Sequence, residues 1–173
     1  MKIIEAMKEI KRLNEKAADL RKKVSVHCAD LSYETAVYPD GKAQVSEWIQ
    51  SHTDTVQRIA ELRTAIQRTN LATDVRIEIG GKPVTKNIAE WVHRRRDLAK
   101  MDLDMWTMLT DRNLKEGTAQ QSAGQTVEVK IRRYYDPQER DKKIAMYREE
   151  IGKGGLIDAA LEVANAVTDV VGL

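Results

Sequence analysis

The chain has 173 residues and sets 29 lysines and arginines against 27 aspartates and glutamates, a net charge of +2. That near balance excludes a whole-chain field able to gather nucleic acid or anionic membrane, so any such partner must be met by a local patch. With no phenylalanine and 5% aromatic residues, Leu, Ile, Val and Met must supply most of the packing, and an aromatic stacking platform is disfavoured.

One domain spanning 1–173 is the expectation from length. Cys28 is the single cysteine, so an intrachain disulfide is ruled out and a reducing, cytoplasmic setting fits better than a secreted scaffold. The opening MKIIEAMKEIKRLNEK intersperses charges among its apolar residues, and no later run approaches about 20 uninterrupted apolar residues. Neither a signal peptide nor a transmembrane segment is therefore expected.

A first helix is predicted from Lys2 to about His27, because Ile3, Met7, Ile10, Leu13, Ala17, Leu20 and Val24 recur at spacings of three or four. One helix cannot bury that stripe alone. It must pack on other helices of the chain, on another subunit, or on both, which makes Ile10 and Leu13 candidate seam residues. Pro39-Asp40-Gly41 marks a surface loop, and Ser46 is the expected cap of a second helix whose buried face is Ile49, Val56, Ile59, Leu62 and Ile66, ending near Thr69. Val75, Ile77 and Ile79 then alternate with Arg76 and Glu78, the pattern of a half-buried edge strand, and Gly80-Gly81 turns the chain while Pro83 discourages a simple continuation of the ladder. Thr85 is the expected cap of a third helix from Lys86 to Leu109, packed through Ile88, Val92, Leu98, Met101, Met105 and Leu109, with Trp91 and Trp106 as its larger packing elements.

The polar stretch 110–126 has no sustained stripe and reads as a flexible connection or an active-site lid, the former preferred. The following 127–135 segment, VEVKIRRYY, alternates at Val127, Val129 and Ile131 and is predicted as a strand or arm, pairing with VRIEI. Asp136-Pro137 starts another helix to about Ile151, and glycines at 152, 154 and 155 separate it from a last one near Leu156 to Val167. The predicted fold class is mainly α: an antiparallel helical bundle or coiled-coil-like core with a small two-stranded β element.

No catalytic centre, metal site or cofactor motif emerges. His27, His52 and His93 lack metal-ligand spacing, and Cys28 beside His27 lacks a third orienting group. Asp97 with Asp102 or Asp104 reads as solvated helix chemistry, and Gly152-Lys153-Gly154-Gly155 is too short and wrongly ordered for a phosphate-binding loop. Arg94-Arg95-Arg96 is a sharper feature. Helical geometry divides the three around the surface and sets Arg95 near the apolar stripe, where a charged hydrogen bond to Asp97 or Glu90 within a subunit interface is expected, ahead of a partner-binding patch for phosphate or carboxylates and of catalysis. Lys130, Arg132 and Arg133, next to Tyr134 and Tyr135, form a candidate surface for an anionic partner such as nucleic acid, disfavoured by the compensating acidic residues.

Three segments, ELRTAIQRTNLAT, VTKNIAEWVHRRRDLAKM and IDAALEVANAVTDV, together resemble the septicolysin-like family of uncharacterised bacterial and phage-associated proteins. Arg68-Thr69-Asn70, Arg96-Asp97-Leu98 and Asp158 with Asn165 look like its polar landmarks. The resemblance implies a helical, oligomeric protein with a small β element, cytoplasmic or phage-associated. Asn70, Asp97, Asp158 and Asn165 are then expected to hydrogen-bond the last helix against the second and third. The functional expectation is a structural or protein-interaction module forming a homo-oligomer, open to an additional protein partner. A nucleic-acid accessory protein and an enzyme with a subunit-interface site are the alternatives.

Overall fold

The computed structural model describes residues 1–122 and 124–172, with the Gln121 side chain left aside. It is mainly α-helical with small β elements: α1 (Ile3–His27), α2 (Gly41–Ala72), β1 (Asp74–Ile79), β2 (Lys82–Asn87), α3 (Ile88–His93), a π-helical turn (Arg94–Leu98), α4 (Ala99–Thr107), β3 (Gly117–Gln121), β4 (Gln125–Val129), α5 (Pro137–Glu150) and α6 (Leu156–Val167). Where the sequence suggests one domain, two compact units are distinguished. The first holds 1–75, 87–89 and 162–173, and the second 76–86 and 90–161.

In the first unit α1 and α2 form an antiparallel hairpin. Ala6, Leu13, Ile59 and Leu62 share one buried cluster, while Leu20, Val24, Ile49 and His52 line a groove further along. On α1 Ile3, Ala6, Leu13, Ala17 and Leu20 are buried, with Ile10 and Val24 half-buried, and on α2 Thr55, Ile59, Leu62, Ala65 and Thr69 are buried, with Trp48, His52 and Ile66 half-buried. The buried positions fall at helical spacings of three, four or seven, which keeps one face of each helix turned to the other.

Met7, Ile49 and Val56 were expected in these stripes and are instead exposed. Ala6 takes the place of Met7 because seven residues separate Ile3 from Ile10 and a small side chain between them lets α2 approach. Thr55 and Thr69 hold core positions in α2 because each hydroxyl donates to a carbonyl one turn back, Ser51 at 2.7 Å and Ala65 at 2.8 Å. Only their methyl groups then face the apolar seam.

The second helix begins at Gly41 rather than Ser46, since the Asp40 carboxylate accepts from the Ala43 N–H at 2.9 Å and supplies the cap. Tyr38 meets His27 and Trp48 edge to face, and those two rings lie tilted to each other, where the connecting loop meets both helices. At the opposite end of the same unit the C-terminal residues close on α1: Ile3 N–H donates to Thr168 O, Val170 N–H to Met1 O, and the Lys2 ammonium to Val167 O and the Asp169 carboxylate. Val171 N–H donates to the buried Thr69 hydroxyl at 2.9 Å.

Two separate hairpins replace the expected pairing of VRIEI with VEVKIRRYY. Gly80 and Gly81 have φ of 58° and 76°, the pair of positive angles that a two-residue hairpin turn requires, so β1 folds back at once onto β2. Pro83 is tolerated because each strand of a two-stranded sheet has a free edge. β3 pairs with β4 antiparallel, Gly117 opposite Val129 and Ala119 opposite Val127. The 110–126 stretch is thus not a bare connection, although position 123 lies outside the described residues, and strand structure in 127–135 stops at Val129.

The third helix also departs from expectation. It starts at Ile88 after strand β2, with no cap from Thr85, and the π-helical turn interrupts it. Ala99 N–H donates to Arg94 O, an i to i+5 bond that inserts one residue into the helical phase. Trp91 and Ala99 are fully buried and Leu103 and Trp106 half-buried, whereas Leu98, Met101 and Met105, expected inside, rotate out to solvent.

Candidate functional site

The three consecutive arginines fall on the π turn, and each finds a carboxylate. Arg94 is the inner one. Its Nε and Nη2 form a two-pronged pair with the Glu150 carboxylate at the end of α5, Nη1 reaches Asp102 at 2.9 Å, and the guanidinium lies 5.7 Å from the Tyr147 ring centroid. Glu150 is 1% exposed and carries the fork that neutralises it. Its hydrogen bonds to Glu150, with those to Asp102, hold the Arg94 guanidinium protonated beyond its ordinary range despite partial burial.

Arg95 pairs with Asp158 at 2.9 Å rather than with Asp97 or Glu90. The Asp158 carboxyl titrates below its ordinary value, first because the Gly154 N–H donates to it and second because of Arg95. The glycine turn at 152–155 therefore ends one helix and presents a backbone donor to the next. Arg96 pairs with its neighbour Asp97, whose second oxygen is buried without a partner. Sequence reasoning singled out Arg95 and missed Arg94 and Glu150. The π turn that aims Arg94 inward has no signature in residue spacing.

A second charged cluster anchors the base of the β3–β4 hairpin. Arg133 grips Asp111 with Nε at 2.7 Å and Nη2 at 2.6 Å, the Tyr135 hydroxyl donates to the same carboxylate at 3.0 Å, and Arg140 donates to Leu109 O while lying over the Tyr135 ring. Ile131 N–H donates to the Glu116 carboxylate at 3.2 Å. Arg133 and Tyr135 hold the Asp111 carboxyl below its ordinary 3.8, so this network stabilises the fold fully above that pH and is lost as the pH falls through the lower folded-state value. Replacing Asp111 by Asn is expected to flatten the decline of stability below pH 3.8, read as urea midpoints from neutral to acid pH. A decline as steep as that of the parent chain would remove Asp111 from the acid response.

Of the candidate anionic-partner surface, Arg133 is thus engaged by Asp111 and Lys130 lies 3.4 Å from Glu128, while Arg132 has no ion pair among the described residues. Leu13 is buried and Ile10 half-buried against α2 of the same chain. Trp91 is fully buried, and Trp106 is half-buried with Lys143 5.9 Å from its ring centre. Of the four polar landmarks, Asn70 and Asn165 belong to the first unit, where the Asn70 side-chain oxygen is buried without a partner among the described residues, whereas Asp97 and Asp158 belong to the second and take arginines.

A cavity of about 680 Å³ lies in the first unit where α1, the loop and α2 meet. Its polar lining includes His27, Asp30, Glu34 and Lys42, with the exposed Cys28 at its edge. No group of three or more histidine, cysteine or carboxylate side chains suited to a metal ion occurs among the described residues.

The exposed surface of the second unit contains a different kind of site. Leu98, Met101, Met105 and Met108 follow one another at steps of three, four and three from the π turn to the end of α4, and all four are exposed, Met105 by 69%. A row of large, flexible apolar side chains left in water has the chemistry of a contact face. No described helix is long and apolar enough to cross a membrane. No protein-family model, curated protein or solved structure matches the chain.

Proposed function

We propose that the chain is a non-enzymatic protein-interaction module that assembles with copies of itself. The methionine face of α4 carries this reading: Leu98, Met101, Met105 and Met108 repeat at the spacing with which one helix packs along an identical helix. The apolar seam between α1 and α2 is buried within one chain, whereas the methionine face of α4 is exposed. The resemblance to the septicolysin-like proteins, with the oligomer it implies, points the same way. Pairing of Arg133 and Lys130 with carboxylates favours assembly over nucleic-acid binding.

Light scattering across a concentration series tests the reading. A fixed multiple of 19.7 kDa is expected. Met101→Glu together with Met105→Glu should leave the stability of the folded chain within about 0.5 kcal/mol, because both side chains are exposed, while lowering the assembled mass. A parent chain that stays monomeric at every concentration would defeat the proposal.

A further inference from the structure

The β3–β4 hairpin is clamped at its base by Glu116 and by the Asp111 network, yet bare along its length. Every residue of β4 is exposed, Val127 and Val129 included, and its outer edge pairs with nothing among the described residues. A two-stranded ribbon exposed on both faces is marginal in water and gains from a third strand. Its edge is an open template for one.

The sequence of that edge specifies the partner. Val127-Glu128-Val129-Lys130-Ile131 is self-complementary when read antiparallel about Val129: Val127 faces Ile131 of the second copy, Glu128 faces Lys130, and Val129 faces itself. Every charged position meets the opposite charge, and every apolar position meets an apolar one. Because side chains alternate across a strand, the charges then share one face and the valines and isoleucines the other.

Backbone direction agrees. Ile131 N–H points to Glu116, on the β3 side, so with the alternation of an antiparallel ladder Glu128 and Lys130 turn their main-chain groups to the free edge. A lysine on an edge strand ordinarily blocks pairing. Here Glu128 stands 3.4 Å from Lys130, the residue that follows β4, both side chains 70% exposed, and the two-fold arrangement matches each with its complement.

We infer that two copies of this chain join β4 to β4, extending the strand through Ile131 into a continuous four-stranded antiparallel sheet with Val129 on the two-fold axis. The inference rests on the self-assembly reading and adds to the methionine face a seam of defined register.

Charge exchange tests it. Glu128→Lys alone sets lysine against lysine twice, and Lys130→Glu alone sets glutamate against glutamate twice; each should weaken association by about tenfold or more in sedimentation measurements. Mixing the two variants restores both opposite-charge pairs, and so does the double exchange within one chain, so association returns in either case. Recovery separates a pairing effect from a folding defect. Register is read by Val129→Cys in a Cys28→Ser background, which should form a disulfide dimer on mild oxidation. Val127→Cys should not, because its symmetry mate lies about 13 Å away along the ladder.

Weakening by both single exchanges with rescue in the mixture, together with selective cross-linking at position 129, is the expected result. A parent chain that assembles while the single exchanges change nothing, or cross-linking equal at 127 and 129, overturns the β4 seam and leaves the assembly reading standing. A parent chain that is monomeric throughout overturns both.

Discussion

Replacing Arg94 by Met lowers the unfolding free energy by about 3 to 5 kcal/mol, the cost of leaving a buried carboxylate without its partner. Glu150 has no exposed side-chain surface, and the Arg94 fork is its ion pair. Arg94→Met combined with Glu150→Leu should lose much less than Arg94→Met alone, because the buried charge leaves with its partner. Asp102→Asn should cost no more than about 1 kcal/mol, since that carboxylate is 47% exposed and water replaces the lost contact. Urea unfolding of the three variants beside the parent chain measures all three quantities. A loss below about 1 kcal/mol for Arg94→Met would show that Glu150 is tolerated without the fork.

The second large effect lies in the hairpin of the first unit. Leu62 has no exposed surface and packs with Ala6, Leu13 and Ile59, so Leu62→Ala should cost about 3 kcal/mol, the transfer of the lost methyl groups plus the cavity they leave. The same packing changes what a charge at Leu13 does. Because α2 of the same chain covers Leu13, Leu13→Glu should reduce helicity and unfold the hairpin, where a residue confined to an intersubunit seam would yield folded monomers. Circular dichroism beside light scattering distinguishes the two results. Folded monomers would return Leu13 to the contact between copies.

These effects also mark how far the sequence could be read. Helical periodicity located α1, α5 and α6 closely, because three-and-four spacing and an Asp-Pro start are local properties of the chain. It misassigned Met7, Ile49 and Val56, because a hydrophobicity count rewards large apolar residues and passes over threonines whose hydroxyls bond to their own helix. It placed Met101 and Met105 inside for a different reason. A single i to i+5 turn shifts the phase of everything after it, and nothing in RRRDL distinguishes a π turn from an α turn.

The sequence by itself determined that this chain is mainly helical with small strands, that its Arg94-Arg95-Arg96 run is divided around a helix surface, and that Gly80-Gly81 permits a tight change of direction. Those are consequences of local backbone geometry and charge. Only the tertiary structure decided which carboxylates answer which arginines, since Arg94 reaches Glu150 across 56 residues and Arg95 reaches Asp158 across 63. It likewise decided that Val127 to Ile131 closes no sheet with Val75 to Ile79. Two glycine-containing turns pair each strand with its sequence neighbour first, and closing a short loop costs less entropy than closing one of about fifty residues.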